Sequence, residues 1–125
     1  MNIETSSNKT IQIRPCSSKD FHRLLQIWQQ TGITLGLSES TEELQRFLDM
    51  NQDTFLVADF QGLVIGTVMG GFDGRRGLIH HLAVDPEFQN NSIATELLRV
   101  LHERFKVMKI VKYHGLIEAD NQEVL

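Results

Sequence analysis

RGLIHHLAVDPEFQNNSIATELL, the stretch from Arg76 to Leu98, decides the fold, because it reads as strand, loop and helix in immediate succession. A mostly apolar strand, Leu78 to Val84, stops at Asp85-Pro86. Pro86 has no N–H to donate to a sheet ladder, and it steers Asp85 away from helical geometry. Gln89-Asn90-Asn91-Ser92-Ile93-Ala94 then opens a helix, roughly Ser92 to Phe105, whose apolar positions Ile93, Leu97, Leu98 and Leu101 fall on one stripe. The first N–H groups of a helix lack partners within it and lie at the positive end of its dipole. A loop of small and amide residues wound tightly there is a place to hold phosphate oxygens.

The chain on either side supplies the rest of a sheet. Ile11 to Arg14 reads as a short strand, followed by Pro15 and the polar pair Ser17-Ser18. Ser18 or Asp20 caps a helix carrying Phe21, Leu24, Leu25, Ile27 and Trp28, which ends near Thr31-Gly32. Ile33 to Ser38 reads as loop. Ser40-Thr41-Glu42-Glu43 looks like a helix start with acids in the first turn, leading to Leu44, Phe47, Leu48 and Met50. Phe55 to Asp59 turns at Gln61-Gly62 into Leu63 to Gly71, and Asp73-Gly74 turns that strand into the next, both residues of such a turn reaching positive φ cheaply. A final strand is expected within Lys112 to Glu118. Strands in a meander followed by strand, helix and strand give an α/β (α+β) mixed sheet, mostly antiparallel, with helices on both faces.

Composition narrows the class. The 125 residues suit one domain, 1–125, with one core. A hydrophobic share of 41% and a charged share of 22% are ordinary for a soluble globular chain. Cys16 is the one cysteine, so no internal disulfide forms. The five histidines are too scattered to indicate a metal site. The first ten residues lack the apolar run of a secretory signal, and no apolar stretch is long enough to span a bilayer. A net charge of −4 gives no electrostatic reason to expect nucleic acid or an anionic membrane as partner. The expectation is a cytoplasmic domain.

At Gln89 and Ala94 the chain resembles the GNAT superfamily of N-acetyltransferases, whose loop reads Gln/Arg-x-x-Gly-x-Gly/Ala directly after a strand. Ser92 stands where the central glycine is usual. Ile13-Arg14-Pro15 with the helix after it, the strands that follow and Ile117 to Asn121 resemble the family's elements in their order. The resemblance implies acetyl-CoA as co-substrate, lying against Leu82, Ala83 and Val84, with its pyrophosphate on main-chain amides of Gln89, Asn90, Asn91, Ser92, Ile93 and Ala94, and with Asn121 near the cofactor. No positive side chain lies between Asp85 and Arg99, so the phosphates would rest on amides and the helix dipole. It implies transfer of acetyl to a primary amine, on a small molecule or a protein, by direct attack.

Many family members continue past the residue matching Asn121 into a helix whose tyrosine protonates the departing thiolate, and then two more strands. The sequence ends at Leu125, so this last helix and these strands are expected to be missing, leaving a sheet edge that a homodimer would cover. A catalytically impaired acyl-CoA-binding or interaction domain of the same fold is the alternative. A base must take the amine's proton, and the candidates are His80 and His81 on the strand and Glu118 at the end of the last one. For each, a structural role competes. Neighbours on a strand face opposite ways, so at most one of His80 and His81 is expected to point into the cleft.

Overall fold

The computed structural model describes residues 2–4, 10–89 and 92–116. Six strands form one sheet in chain order: β1 (Asn2–Glu4), β2 (Thr10–Pro15), β3 (Phe55–Phe60), β4 (Leu63–Phe72), β5 (Gly77–Val84) and β6 (Tyr113–Leu116). Each of the first four pairs antiparallel with the next. β6 joins β5 in parallel, from Gly77↔Tyr113 to His80↔Leu116, after the chain has crossed over through a helix. Three helices cover the sheet: α1 (Phe21–Gln30), α2 (Thr41–Met50) and α3 (Ile93–Val107). No helix among the described residues is long and apolar enough to cross a membrane.

The helix ends follow from local chemistry. Gly32, at φ 85°, closes α1, and the N–H of Ile33 reaches back to the carbonyl of Trp28. The N–H of Ile110 reaches Phe105 in the same way at the end of α3, with Lys109 taking the left-handed position. Ser40 caps α2 by accepting from the N–H of Glu43. Before α1 a 3-10 turn, Ser18–Asp20, intervenes, and Asp20 accepts from the N–H of Ser17 at 2.8 Å. Asp20 also holds Arg14, which reaches Asp59 as well, so one guanidinium joins β2, β3 and the entry to α1.

The two hairpins differ. Gln61 and Gly62 both take positive φ, as a two-residue turn requires, and Asp59 accepts from the N–H of Gly62. At Asp73-Gly74 only Gly74 is left-handed; Asp73 instead accepts from the N–H groups of Arg75 and Arg76 in a four-residue loop.

Each face of the sheet has its own core. On one, Ile93, Leu97, Val100, Leu101 and Phe105 of α3 pack against Ile11, Ile13, Leu56, Val68, Leu82 and Val84. On the other, Phe21, Leu24, Ile27 and Trp28 of α1 and Leu44 and Leu48 of α2 pack against Phe55, Val57, Met69 and Ala83. The helix α3 sits close because β4 carries glycine beneath it. A Cβ on Gly70 would lie 2.5 Å from Leu101 Cδ1 and 3.1 Å from the carbonyl of Thr54. Gly70→Ala is therefore expected to destabilise by about 1–3 kcal/mol, the usual effect of overfilling a packed core. A urea midpoint that stays in place at constant slope would show that α3 lifts off without cost.

Candidate functional site

The strand β5 does not alternate regularly. Thr67 pairs with Ala83 but Met69 pairs with His80, so Val68 alone stands opposite His81 and Leu82. This is a β-bulge, and His81 takes it up with a left-handed backbone at φ 53°. The extra residue shifts the phase of the strand by one. Leu82 and Val84 return to the α3 core, while His80 and His81 line the same cleft on the opposite face. The expectation that only one of them would face it fails because alternation holds only for an unbulged ladder. Backbone strain of this kind persists where surrounding structure enforces it, often at functional positions.

The cleft has a volume of about 450 Å³ and lies between α2, the turn before it and the ends of β4 and β5. His80 meets the edge of Phe47 on α2, with ring centres 5.4 Å apart, and His81 meets Trp28 on α1 at 4.9 Å. The two imidazoles lie edge to face at 5.2 Å. Glu39 completes the group. It ends a 3-10 turn, Leu37–Glu39, within what the sequence presents as loop. Its carboxylate accepts from the N–H of Gly36 at 2.7 Å and the hydroxyl of Ser38 at 2.7 Å, and it lies 3.0 Å from Nε2 of His81. The backbone has folded a buried acid onto the imidazole, and the carboxylate selects the tautomer with hydrogen on Nε2.

Electrostatics divide the two histidines. Burial first, and the neighbouring His81 second, push the His80 imidazole down to about 4 against a smaller upward pull from Glu39. For Glu39, burial works upward, but the donors Ser38, Gly36 and His81 together hold the carboxyl below its ordinary value. Near neutral pH the cleft thus contains an ionised Glu39 against His81 and a neutral His80. A consequence concerns stability. Between pH 6.5 and about 4 the unfolded chain protonates His80 and the folded chain does not. The contribution of His80 is complete above that window and is lost as pH falls through it. Melting temperature is expected to drop across this range, and His80→Gln to flatten the drop. An equal slope in the variant would assign the acid sensitivity to other groups.

The nucleotide end of the predicted site lies beyond β5. Asp85 ends the strand and accepts from the N–H of Glu87 at 2.9 Å, opening the turn Pro86–Phe88. Arg23 of α1 closes on the same carboxylate and donates through Nε to the carbonyl of Val64 at 2.8 Å. The side chain of Gln89 folds back and donates to the carbonyl of Val84 at 3.2 Å. Ser92 stands before α3 with φ 62° and ψ 21°, the left-handed conformation that glycine adopts most readily. Its side chain makes no capping bond. The first helical bond runs from the N–H of Glu96 to the carbonyl of Ser92, which leaves the N–H groups of Ile93, Ala94 and Thr95 with no partner inside the helix.

The side chains of Leu82, Ala83 and Val84 are buried in the two cores, so a ligand there would meet main chain. Asn90, Asn91, Glu118 and Asn121 lie outside the described residues. Glu39 and Arg23 are the residues that sequence reading missed. Gly36-x-x-Glu39 has the spacing of a capping box, and that was the available signal for Glu39. Arg23 offered none, since its partner Asp85 is distant in sequence. Cys16 is buried, and burial pushes its thiol up to about 12, so it is no thiolate at neutral pH.

The chain and its fold have counterparts among known proteins. The model of the acetyltransferase (GNAT) family matches residues 21–123. An acetyltransferase of Pectobacterium atrosepticum is 30% identical over 115 residues, covering 92% of this chain and 82% of the relative. The structure of Ard1 from Thermoplasma volcanium superposes with a TM-score of 0.79 at 21% identity, over 91% of this chain and 76% of that one. PaiA N-acetyltransferase of Thermoplasma acidophilum, solved in complex with coenzyme A, does so with a TM-score of 0.77 at 22% identity, over 90% and 82%. With most of its length matched and the expected elements in the expected order, the chain belongs to the GNAT family of acetyltransferases.

Proposed function

We propose that this protein transfers an acetyl group from acetyl-CoA to a primary amine by direct attack, with the cofactor lying from the start of α3 along the end of β5 and the amine entering the cleft on the α2 side. The observation that carries this reading is the Glu39–His81 pair set into that cleft by the bulge. Three residue steps of strand separate His81 from Val84, about 10 Å of main chain. A ligand spanning that distance joins an anion site at a helix start to a proton acceptor. The Thermoplasma acidophilum relative was solved in complex with coenzyme A, which supports acetyl-CoA as the co-substrate.

In the reaction, the amine nitrogen attacks the thioester carbonyl, the carbonyl electrons move onto oxygen, and main-chain donors near the strand end stabilise the oxyanion. His81 takes the proton lost by the amine, and Glu39 keeps its ring oriented and supports the imidazolium. Collapse of the intermediate breaks the carbon–sulfur bond, and the thiolate recovers a proton. His80, held neutral, shapes the wall. The loop Gln89 to Ala94 would hold the pyrophosphate with amide hydrogens, helped by the helix dipole at about 0.3–1 kcal/mol per charge.

Acetyl-CoA at a hundredfold excess over its dissociation constant is expected to stabilise the protein by about 2.7 kcal/mol. No melting shift at millimolar ligand would end both the transfer reading and that of a silent binder; a shift with no thiol release across an amine panel would favour the latter. Ser92→Gly is expected to tighten binding, because glycine occupies the left-handed position without the ~1–2 kcal/mol strain of a side chain and lets phosphate approach more closely. Equal or weaker affinity would place the pyrophosphate elsewhere.

A further inference from the structure

The walls of the acceptor cleft are apolar, its charges lean one way, and its size is that of a small-molecule site. Phe47 and Met50 of α2 face Met69, Phe72 and Leu78 of the sheet across it. Three of these remain unusually open for large apolar side chains: Met50 at 76%, Phe72 at 41% and Leu78 at 36%. A concentration of apolar surface around one opening marks a place where something apolar is bound. Among the described residues, four charged side chains other than histidine line the cleft. Three are the carboxylates Glu39, Glu43 and Asp73; the fourth, Arg46, lies 3.5 Å from Glu43. The volume of about 450 Å³ falls in the roughly 300–1,000 Å³ range of small-molecule pockets.

We propose that the acceptor is a small primary amine on a compact apolar body without a carboxylate, an arylalkylamine in chemical class. The inference rests on the transfer reading above. The ammonium group is drawn inward by Glu39, loses its proton beside His81, and leaves its hydrocarbon part between Phe47 and the sheet. An amino acid would bring a carboxylate among three others, with the Arg46 guanidinium, already engaged by Glu43, as the only Lys or Arg among the described lining residues. A polyamine would set a second ammonium against the apolar walls, where burial of an unpaired charge is costly.

The test uses the full chain with acetyl-CoA and four probes: 2-phenylethylamine, spermidine, glutamate and a short peptide with a free N-terminus, read by release of the coenzyme A thiol. The expected result is a kcat/KM for 2-phenylethylamine at least about tenfold above the others, the scale on which apolar pockets discriminate. Met50→Lys, at an exposed position, is expected to raise KM for this amine about tenfold more than it changes kcat, since the lost contact acts mainly in binding. Preference for spermidine, glutamate or the peptide would overturn the inference while leaving acetyl transfer in place. An unchanged KM in Met50→Lys would overturn the location. If no amine turns over, melting with 2-phenylethylamine and coenzyme A together decides. A shift beyond that of coenzyme A alone would uphold the acceptor class and remove the transfer reading; none would overturn the acceptor class as well.

Discussion

His81→Ala is expected to lower kcat for amine acetylation by about 10²–10⁴-fold, the usual contribution of a positioned base, while acetyl-CoA still raises the melting temperature. The separation of the two effects follows from the fold. The imidazole lies in the cleft proposed for the acceptor, whereas the amides proposed to hold the pyrophosphate belong to the start of α3. Glu39→Gln should lower kcat by less, because the amide still occupies the space beside Nε2 but no longer supports a positive ring. His80→Gln should do least, since burial already keeps that ring uncharged at working pH. A full rate in His81→Ala together with a large loss in His80→Gln would exchange the roles of the two residues and refute the assignment.

Arg23→Met is expected to destabilise the chain by about 3 kcal/mol, at the low end for breaking a buried ion pair because Arg23 keeps some contact with solvent. Removing the guanidinium leaves the Asp85 carboxylate buried with the N–H of Glu87 as its remaining donor among the described residues, and also strips a donor from the carbonyl of Val64. The expected fall in melting temperature is on the order of 10 °C for a domain of this size. Arg23→Met combined with Asp85→Asn should be less destabilised than Arg23→Met alone, because the neutral amide leaves no stranded charge. If the double variant is the worse of the two, Asp85 matters through its turn rather than through Arg23. Arg23 also links α1 to the residue where β5 gives way to the loop proposed to hold the cofactor, so acetyl-CoA affinity should fall with stability.

Much of the fold was legible because it rests on local rules. The two-residue turn at Gln61-Gly62, the stop at Asp85-Pro86 and the apolar stripe from Ile93 to Leu101 each depend on neighbours within a few positions. The strand β1 was not legible. Asn2–Glu4 is too short to carry a readable period, and it is a strand because the edge of β2 accepts it through Asn2↔Gln12, Ile3↔Ile11 and Glu4↔Thr10. The junction between β5 and α3 was legible, and the left-handed Ser92 gives a physical reason why glycine is usual there in the family.

The sequence by itself determined the order of elements from β2 onward, the apolar stripes of the helices and the strand-to-helix junction, since periodicity, proline and capping act over one or two turns of chain. Tertiary structure alone decided the site. A bulge opposite Val68 put His80 and His81 on one face, and the turn before α2 carried Glu39 across 42 positions of sequence to His81. Register and long-range charge pairing depend on which strands and loops meet in space, and no local pattern in the chain encodes that meeting.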